Sequence, residues 1–124
     1  MKSIMHQKDG TCYLCMKLEG NYFPQLVTQE HHVIFGTSNR RQSERYGLKV
    51  YLCVAHHLTG PDAVHRNQTV RNMLCEDAQE QFEKKYPHIS FQNVFGKNWK
   101  AHKDSVREEN KTTEKGFRII NGDD

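Results

Sequence analysis

Two pairs of metal-binding residue types stand at fixed spacing in this chain. Cys12 and Cys15 form a C-x2-C pair, and Cys53 and His56 form a C-x2-H pair. A two-residue spacer lets both members of a pair turn onto one ion, and three thiolates with one imidazole are a common tetrahedral set for structural zinc. Thiolate ligands without a redox demand favour zinc over other metals. The spacing therefore predicts one structural Zn2+ site with all four protein positions filled.

Other interpretations of these residues remain open. The C-x2-C pair alone is ambiguous, because thioredoxin-type redox proteins use the same spacing. We expect no strand and helix of the redox type around Cys12 and Cys15, and the second pair favours zinc. Cys53 can also be a small buried residue, with His56 a polar neighbour. Cys75 falls within a helical pattern and is interpreted as a helix residue, not a ligand.

Four further histidines form a second group of reactive side chains: His31, His32, His57 and His65. Metal-assisted phosphodiester hydrolysis uses such parts, because a divalent cation polarises the phosphate and a neutral histidine takes a proton from the attacking water. Adjacent strand residues point to opposite faces, so His31 and His32 are expected to have different tasks and to share a centre only at a strand end or bend. We interpret His31 and His57 as metal ligands and His32 as the general base, with His65 a third ligand. The plain alternative for each is a surface or core histidine.

The elements that must position these residues are short strands in the first half of the chain. Residues 22–27, 32–35 and 48–52 are apolar runs typical of strands, the first of them interrupted by Pro24. The segment 38–41 is interpreted as a loop.

The second half of the chain is predicted to be helical. Asp62 can cap a helix that begins near Ala63 and ends before Pro87. Along it, apolar residues recur every four positions, which indicates core packing; they are Val70, Leu74, Ala78, Phe82 and Tyr86. A short second helix is expected over residues 90–94. We divide the chain into a leader (residues 1–11), one domain (12–100) and a mobile charged tail (101–124).

The composition sets limits on partners and location. Of 124 residues, 35% are hydrophobic and 27% are charged. This composition allows only a small hydrophobic core, which favours stabilisation by a bound metal ion. No stretch approaches the roughly 18 apolar residues of a membrane span, and the polar N-terminus has no secretory h-region. We therefore expect a cytoplasmic protein without a membrane partner, in which cysteines serve as ligands and not as disulfides.

Basic side chains are concentrated between the two candidate metal sites. Against Glu44 alone, residues 36–51 contain Arg40, Arg41, Arg45 and Lys49. A local positive patch suits a polyanionic partner such as nucleic acid, and a solvated basic loop is the plain alternative. No clear base-reading element is apparent, so we expect weak sequence specificity.

Taken together, the runs around the two cysteine pairs and the histidines resemble a known family. The motif Cys12-x2-Cys15, then Glu30-His31-His32-Val33-Ile34, then Leu52-Cys53-x2-His56-His57 is similar to zinc-knuckle HNH endonucleases of the ββα-metal fold. The resemblance covers roughly residues 12–67. It implies an α+β fold: a small ββα-metal core with a zinc knuckle, followed by a long helix, a short helix and a polar tail. The later helical segments also resemble small phage and prophage proteins of this family.

The resemblance implies roles for single residues. In that family the first residue of the His pair binds the catalytic ion and the second is the general base, which carries over to His31 and His32. The residue after the last knuckle ligand also binds the ion, which carries over to His57. The sequence departs from the pattern in having His56 where a cysteine is usual. The middle Asn is missing from its usual place, and Asn39 is our substitute.

The third ligand is open between His65 and Asn67, since His65 is eight residues past His57. The implied activity is metal-dependent DNA nicking, with Mg2+ or Mn2+ as the catalytic ion and DNA held by the basic residues named above. A homodimer or an assembly of phage proteins would allow both strands to be cut. The main rival function is a non-catalytic zinc-finger-like module that binds nucleic acid or protein. A second rival is a small phage protein in which an HNH scaffold serves as an adaptor or inhibitor.

Overall fold

Two short antiparallel strands lie at the centre of the fold and carry the predicted histidine pair. The computed structural model describes residues 1–100, so the predicted charged tail lies outside the described part of the chain. The element order is α1 (Tyr13–Glu19), β1 (Gln29–His32), α2 (Thr37–Tyr46), β2 (Lys49–Leu52), a π-helical turn (Ala55–Thr59), α3 (Gln68–Lys85) and α4 (Phe91–Phe95). This is a small mixed α+β protein with a two-stranded sheet and several helices.

The strand pairing places the two histidines at the end of β1. The register pairs Gln29 with Leu52, Glu30 with Tyr51, His31 with Val50 and His32 with Lys49. Every residue of β2 is buried, which makes it the inner wall of the sheet. Because His32 is the last residue of β1, the chain can bend there and bring both histidine side chains toward one region.

The predicted strand over residues 48–52 is confirmed almost residue for residue, but the other two strand predictions need correction. Residues 22–27 form no strand; they are an irregular segment in which Phe23 and Leu26 are exposed, so the apolar run has no face to bury. The strand predicted at 32–35 instead ends at His32. The reason is Ser43 of α2, whose Oγ accepts the Ile34 N–H at 3.1 Å and donates to the Ile34 carbonyl at 3.2 Å.

The long helix has the predicted apolar stripe but begins later than expected. The core-facing residues of α3 include Val70, Leu74, Ala78 and Phe82, all buried. The expected cap at Asp62 is wrong: the helix begins at Gln68, where the Asn67 side chain accepts the Val70 N–H at 3.1 Å. Phe82 then packs edge-on against the rings of Tyr46, Phe91 and Phe95, among others, which joins α2, α3 and α4 around one aromatic core.

Helix α2 replaces the predicted loop at residues 38–41. Its sequence is almost wholly polar, so hydrophobic periodicity gives no sign of it. It ends at Gly47, which adopts a left-handed conformation with φ 74°. A Cβ at Gly47 would lie 2.5 Å from the Lys2 carbonyl oxygen, because residues 1–11 pack closely at this point. The Ile4 N–H donates to the Gly47 carbonyl at 2.9 Å.

Candidate metal centres and catalytic cleft

The four predicted zinc ligands come from three elements that meet at one point. Cys12 is the N-cap of α1 and Cys15 lies in its first turn, while Cys53 follows β2 and His56 lies in the π-helical turn. One ligand atom from each lies within 4.8 Å of the others, so the group can hold a metal ion. We call these four residues the knuckle. Helix α1 begins at the C-x2-C pair, but no strand precedes the pair among the described residues, so the strand and helix of a redox-type site are not both present.

The knuckle distances match a tetrahedral zinc site. Zn–S bonds of about 2.3 Å and a Zn–N bond of about 2.0 Å place sulfur atoms about 3.8 Å apart, and sulfur about 3.5 Å from nitrogen. The His56 Nδ1 lies 3.6, 3.4 and 3.4 Å from the Sγ atoms of Cys12, Cys15 and Cys53. The Sγ atoms of Cys15 and Cys53 are 3.9 Å apart. The donor set and its spacing are therefore compatible with structural zinc.

A carboxylate supports the knuckle from outside. The Nε2 of His56 lies 3.3 Å from Oε2 of Glu19, the last residue of α1. Carboxylates in this place fix the tautomer and orientation of a metal-bound imidazole. Without a metal, burial and neighbouring thiols raise the pKa of Cys15, so binding of a cation is what allows the thiolate form.

We predict that Glu19→Gln weakens zinc binding by about 10–100-fold while the fold is kept, since the four ligands remain. Competition with a chromophoric chelator measures this affinity. Glu83→Gln, which removes a carboxylate from an ion pair with Lys100 elsewhere on the molecule, is the matched control. An unchanged zinc affinity in Glu19→Gln would show that Glu19 has no such role.

A second cluster brings together His31, His57 and His65, and we call it the histidine cluster. Its three ligand nitrogens also lie within 4.8 Å of one another. The Nε2 atoms of His57 and His65 are 3.2 Å apart, within the roughly 3.0–3.4 Å expected for two nitrogens bound to one ion. The His57 Nδ1–H donates to Gln29 Oε1 at 2.7 Å, which leaves its Nε2 lone pair toward His65. Gln29 thus orients the His57 ring through the nitrogen that does not contact His65.

The third imidazole of this cluster has an unsatisfied atom. The His31 ring is buried, and its Nε2 has no hydrogen-bond partner among the described residues. Such orphaned buried atoms are uncommon in folded proteins, and a bound metal ion is one partner that would satisfy this nitrogen. Burial, reinforced by His57 and His65, lowers the pKa of His31 to about 3. The imidazole is therefore neutral at physiological pH, as a metal ligand must be.

His32 opens onto the same space as the histidine cluster. A cleft of about 560 Å3 is lined by Glu30, His31, His32, Phe35, Gly36, Arg40, His57 and His65. His31 and His32 thus share one cleft despite being adjacent, because β1 ends at His32. The His32 Nε2–H donates to Oε1 of Glu44 at 2.8 Å, a contact between the end of β1 and helix α2.

The four predicted DNA-binding side chains differ in their exposure and in their position relative to the cleft. Arg40 lines the cleft, and Arg41 and Arg45 are exposed on α2. Lys49 differs from the expectation: its ammonium is buried and lies 2.9 Å from Glu30 Oε2 and 3.1 Å from Glu44 Oε1. Two carboxylates therefore already contact the Lys49 ammonium, and its contact with a phosphate stays a prediction.

The two asparagines from the sequence analysis take structural positions. Asn67 caps α3 and its amide donates to the Pro61 carbonyl at 3.3 Å, which leaves His65 as the third member of the cluster. Asn39 lies in the first turn of α2 close to Gly36, and it is not among the residues that line the cleft.

Sequence reasoning did not identify Glu19, Gln29 or Glu44, the three side chains that orient the histidines. Each supports a histidine far from it along the chain; Gln29 and His57, for example, are 28 positions apart. Only the isolated acidic position of Glu44 within a basic segment offered a signal.

The comparisons do not place this chain in a known group. The chain matches no protein-family model, no curated protein and no solved structure. Within residues 1–100, none of the helices combines the length and apolar character that crossing a membrane requires.

Proposed function

We propose that this protein is a metal-dependent endonuclease that hydrolyses phosphodiester bonds in DNA, built on a ββα-metal core of the HNH type. One observation carries the proposal. Three imidazoles converge in one cleft, one of them with a buried nitrogen that lacks a hydrogen-bond partner within residues 1–100, and a fourth histidine opens onto the same cleft. A purely structural zinc module needs the knuckle but gives no reason for this second centre.

The histidine cluster has the donors to hold one divalent cation. When bound there, such an ion supplies polarisation of the phosphate and charge stabilisation at the leaving oxygen. The resemblance to HNH endonucleases implies Mg2+ or Mn2+ as this ion. An all-imidazole donor set suits transition-metal ions better than Mg2+, so Mn2+ and Ni2+ belong in any test beside Mg2+.

His32 is the general base of the proposed reaction. Hydrolysis adds water across the P–O bond: the water oxygen bonds to phosphorus, the ester bond breaks, and the leaving oxygen takes a proton from solvent and becomes an alcohol. One water proton passes to His32 as this happens, and the imidazole later returns it to solvent. Its position in the same cleft as the cluster, but outside the three ligands, suits that task.

The basic face of α2 is the proposed site for the DNA backbone. Arg40 lines the cleft itself, and Arg41 and Arg45 are exposed one helical turn apart on the same helix. Contacts of this kind give affinity without reading sequence, and they weaken as salt is added. We therefore expect nicking with weak sequence preference, at a rate that falls steeply as the ionic strength rises.

Supercoiled plasmid is the substrate that tests the proposal. The full chain should convert it to the nicked form with Mg2+, Mn2+ or Ni2+, and not with chelator. His32→Ala should lower the rate by roughly 10²–10⁴-fold, the contribution of a positioned base. His88→Ala, an exposed histidine just beyond α3 and outside the cleft, is the matched control.

Two results would contradict this proposal in different ways. No nicking by the wild type with any of the three ions would refute the nuclease function and favour the non-catalytic binding module, above all if DNA is still bound. Equal nicking by the wild type and His32→Ala would leave the nuclease standing but remove His32 as its base.

A further inference from the structure

The carboxylate of Glu44 contacts His32, and the proposed function does not by itself require this contact. Glu44 reaches from α2 and accepts a hydrogen bond from His32 Nε2 at 2.8 Å. The His32 side chain is only 14% exposed, so this contact is shielded on most sides. An ionised carboxylate can only accept hydrogen bonds. The proton of a neutral His32 therefore belongs on Nε2, which leaves the lone pair on Nδ1.

Lys49 holds Glu44 in this position. Its ammonium lies 3.1 and 3.3 Å from the two Glu44 oxygens and 2.9 Å from Glu30 Oε2. The Lys49 side chain is 7% exposed and projects from the buried strand β2, so it is a rigid cation. The hydrogen bond from His32, followed by the contacts of the N-terminal ammonium and Lys49, lowers the pKa of Glu44 to about 2.

The position of Lys49 also bears on a third group of side chains with metal-binding geometry. Glu30, His32 and Glu44 lie close enough together to hold a metal ion. The Lys49 ammonium already lies within contact of both carboxylates, so an added cation would have to displace it. Lys49 takes the place that a cation would otherwise have, and it leaves His32 free of metal.

We propose that Glu44 is a positioning residue that holds His32 in the Nε2–H tautomer, with Lys49 fixing Glu44 for this task. The catalytic consequence rests on the proposed function: the Nδ1 lone pair would be the proton acceptor. The tautomer itself does not depend on any activity.

Nitrogen-15 NMR of the full chain, labelled at histidine and measured at a pH where His32 is neutral, tests the tautomer directly. Protonated and unprotonated ring nitrogens resonate far apart, so the dominant form of His32 can be assigned by comparison with His32→Ala. We expect the Nε2–H form to dominate in the wild type and to lose its dominance in Glu44→Gln. A wild-type His32 with its proton on Nδ1 overturns the proposal whether or not the protein cuts DNA.

Kinetics supply the second readout. Glu44→Gln should lower kcat by roughly 10²-fold, the low end of what a positioned base contributes, and leave KM within about twofold. Glu44→Asp, which keeps a carboxylate, should recover part of kcat, and Glu83→Gln is the matched control. An active wild type with an unchanged kcat in Glu44→Gln overturns the positioning role. An inactive wild type refutes the nuclease instead, and the NMR result still decides the tautomer.

Discussion

Cys15→Ser should unfold the domain. Binding of a structural zinc contributes about 10–16 kcal/mol in small zinc modules, and the whole stability of a typical domain is only about 5–15 kcal/mol. Cys15 is a buried residue of α1, and its Sγ contacts both Cys53, which follows β2, and His56 of the π-helical turn. Loss of this thiolate therefore removes the link between α1 and the end of β2.

Circular dichroism, thermal unfolding and zinc content of the purified full chain measure this effect. Cys75→Ala is the matched control, since Cys75 is equally buried but lies on α3 and hydrogen-bonds to the Val33 carbonyl. That variant should keep one zinc per chain and lose only about 1 kcal/mol. A folded, zinc-free Cys15→Ser protein would refute the knuckle.

His57→Ala should give the opposite result: a folded protein without nuclease activity. His57 is outside the buried core, so its removal leaves the packing intact. The histidine cluster would keep only His31 and His65. A ligand lost from a catalytic ion removes several kcal/mol of transition-state stabilisation, so we expect plasmid nicking to fall by roughly 10³-fold or more.

The neighbouring residue provides the contrast. His56→Ala removes a knuckle ligand and should lose zinc and fold, while His57→Ala should keep its zinc and its melting temperature. Isothermal titration with Mn2+ should show one weaker site in the wild type and none in His57→Ala. Full activity in His57→Ala, or a common loss of fold in both variants, would contradict the division of adjacent histidines between two centres.

The knuckle could be predicted from the sequence because its ligands are marked by residue type and short spacing. Cys12 with Cys15, and Cys53 with His56, each need only a two-residue turn, whatever the rest of the fold does. The His31–His32 pair was identifiable by its rarity. The convergence of His65 with the others was open, since Asn67 was the alternative until the structure placed it as a helix cap.

What the sequence did not reveal depends on long-range packing. Helix α2 is too polar to show an apolar period, and it brings Glu44 to His32 across 12 positions of chain. Lys49 lies opposite His32 in the strand register, and its buried ammonium contacts Glu30, two residues earlier on β1, an arrangement that no local pattern expresses. The exposed segment 22–27 shows the reverse case: strand-like residues without a partner strand form no strand.

A backbone hydrogen bond at its C-cap residue helps to close the π-helical turn that carries His56 and His57. The Gly60 N–H donates to the Ala55 carbonyl at 2.8 Å, and a Cβ on Gly60 would lie 2.8 Å from that same oxygen. The backbone of Gly60 is extended and open to any residue, so the requirement is one of space and not of dihedral angle. A methyl group added there must push Ala55 away. One carbon atom, placed on a residue outside both clusters, would thereby displace His56 of the knuckle and His57 of the histidine cluster at once.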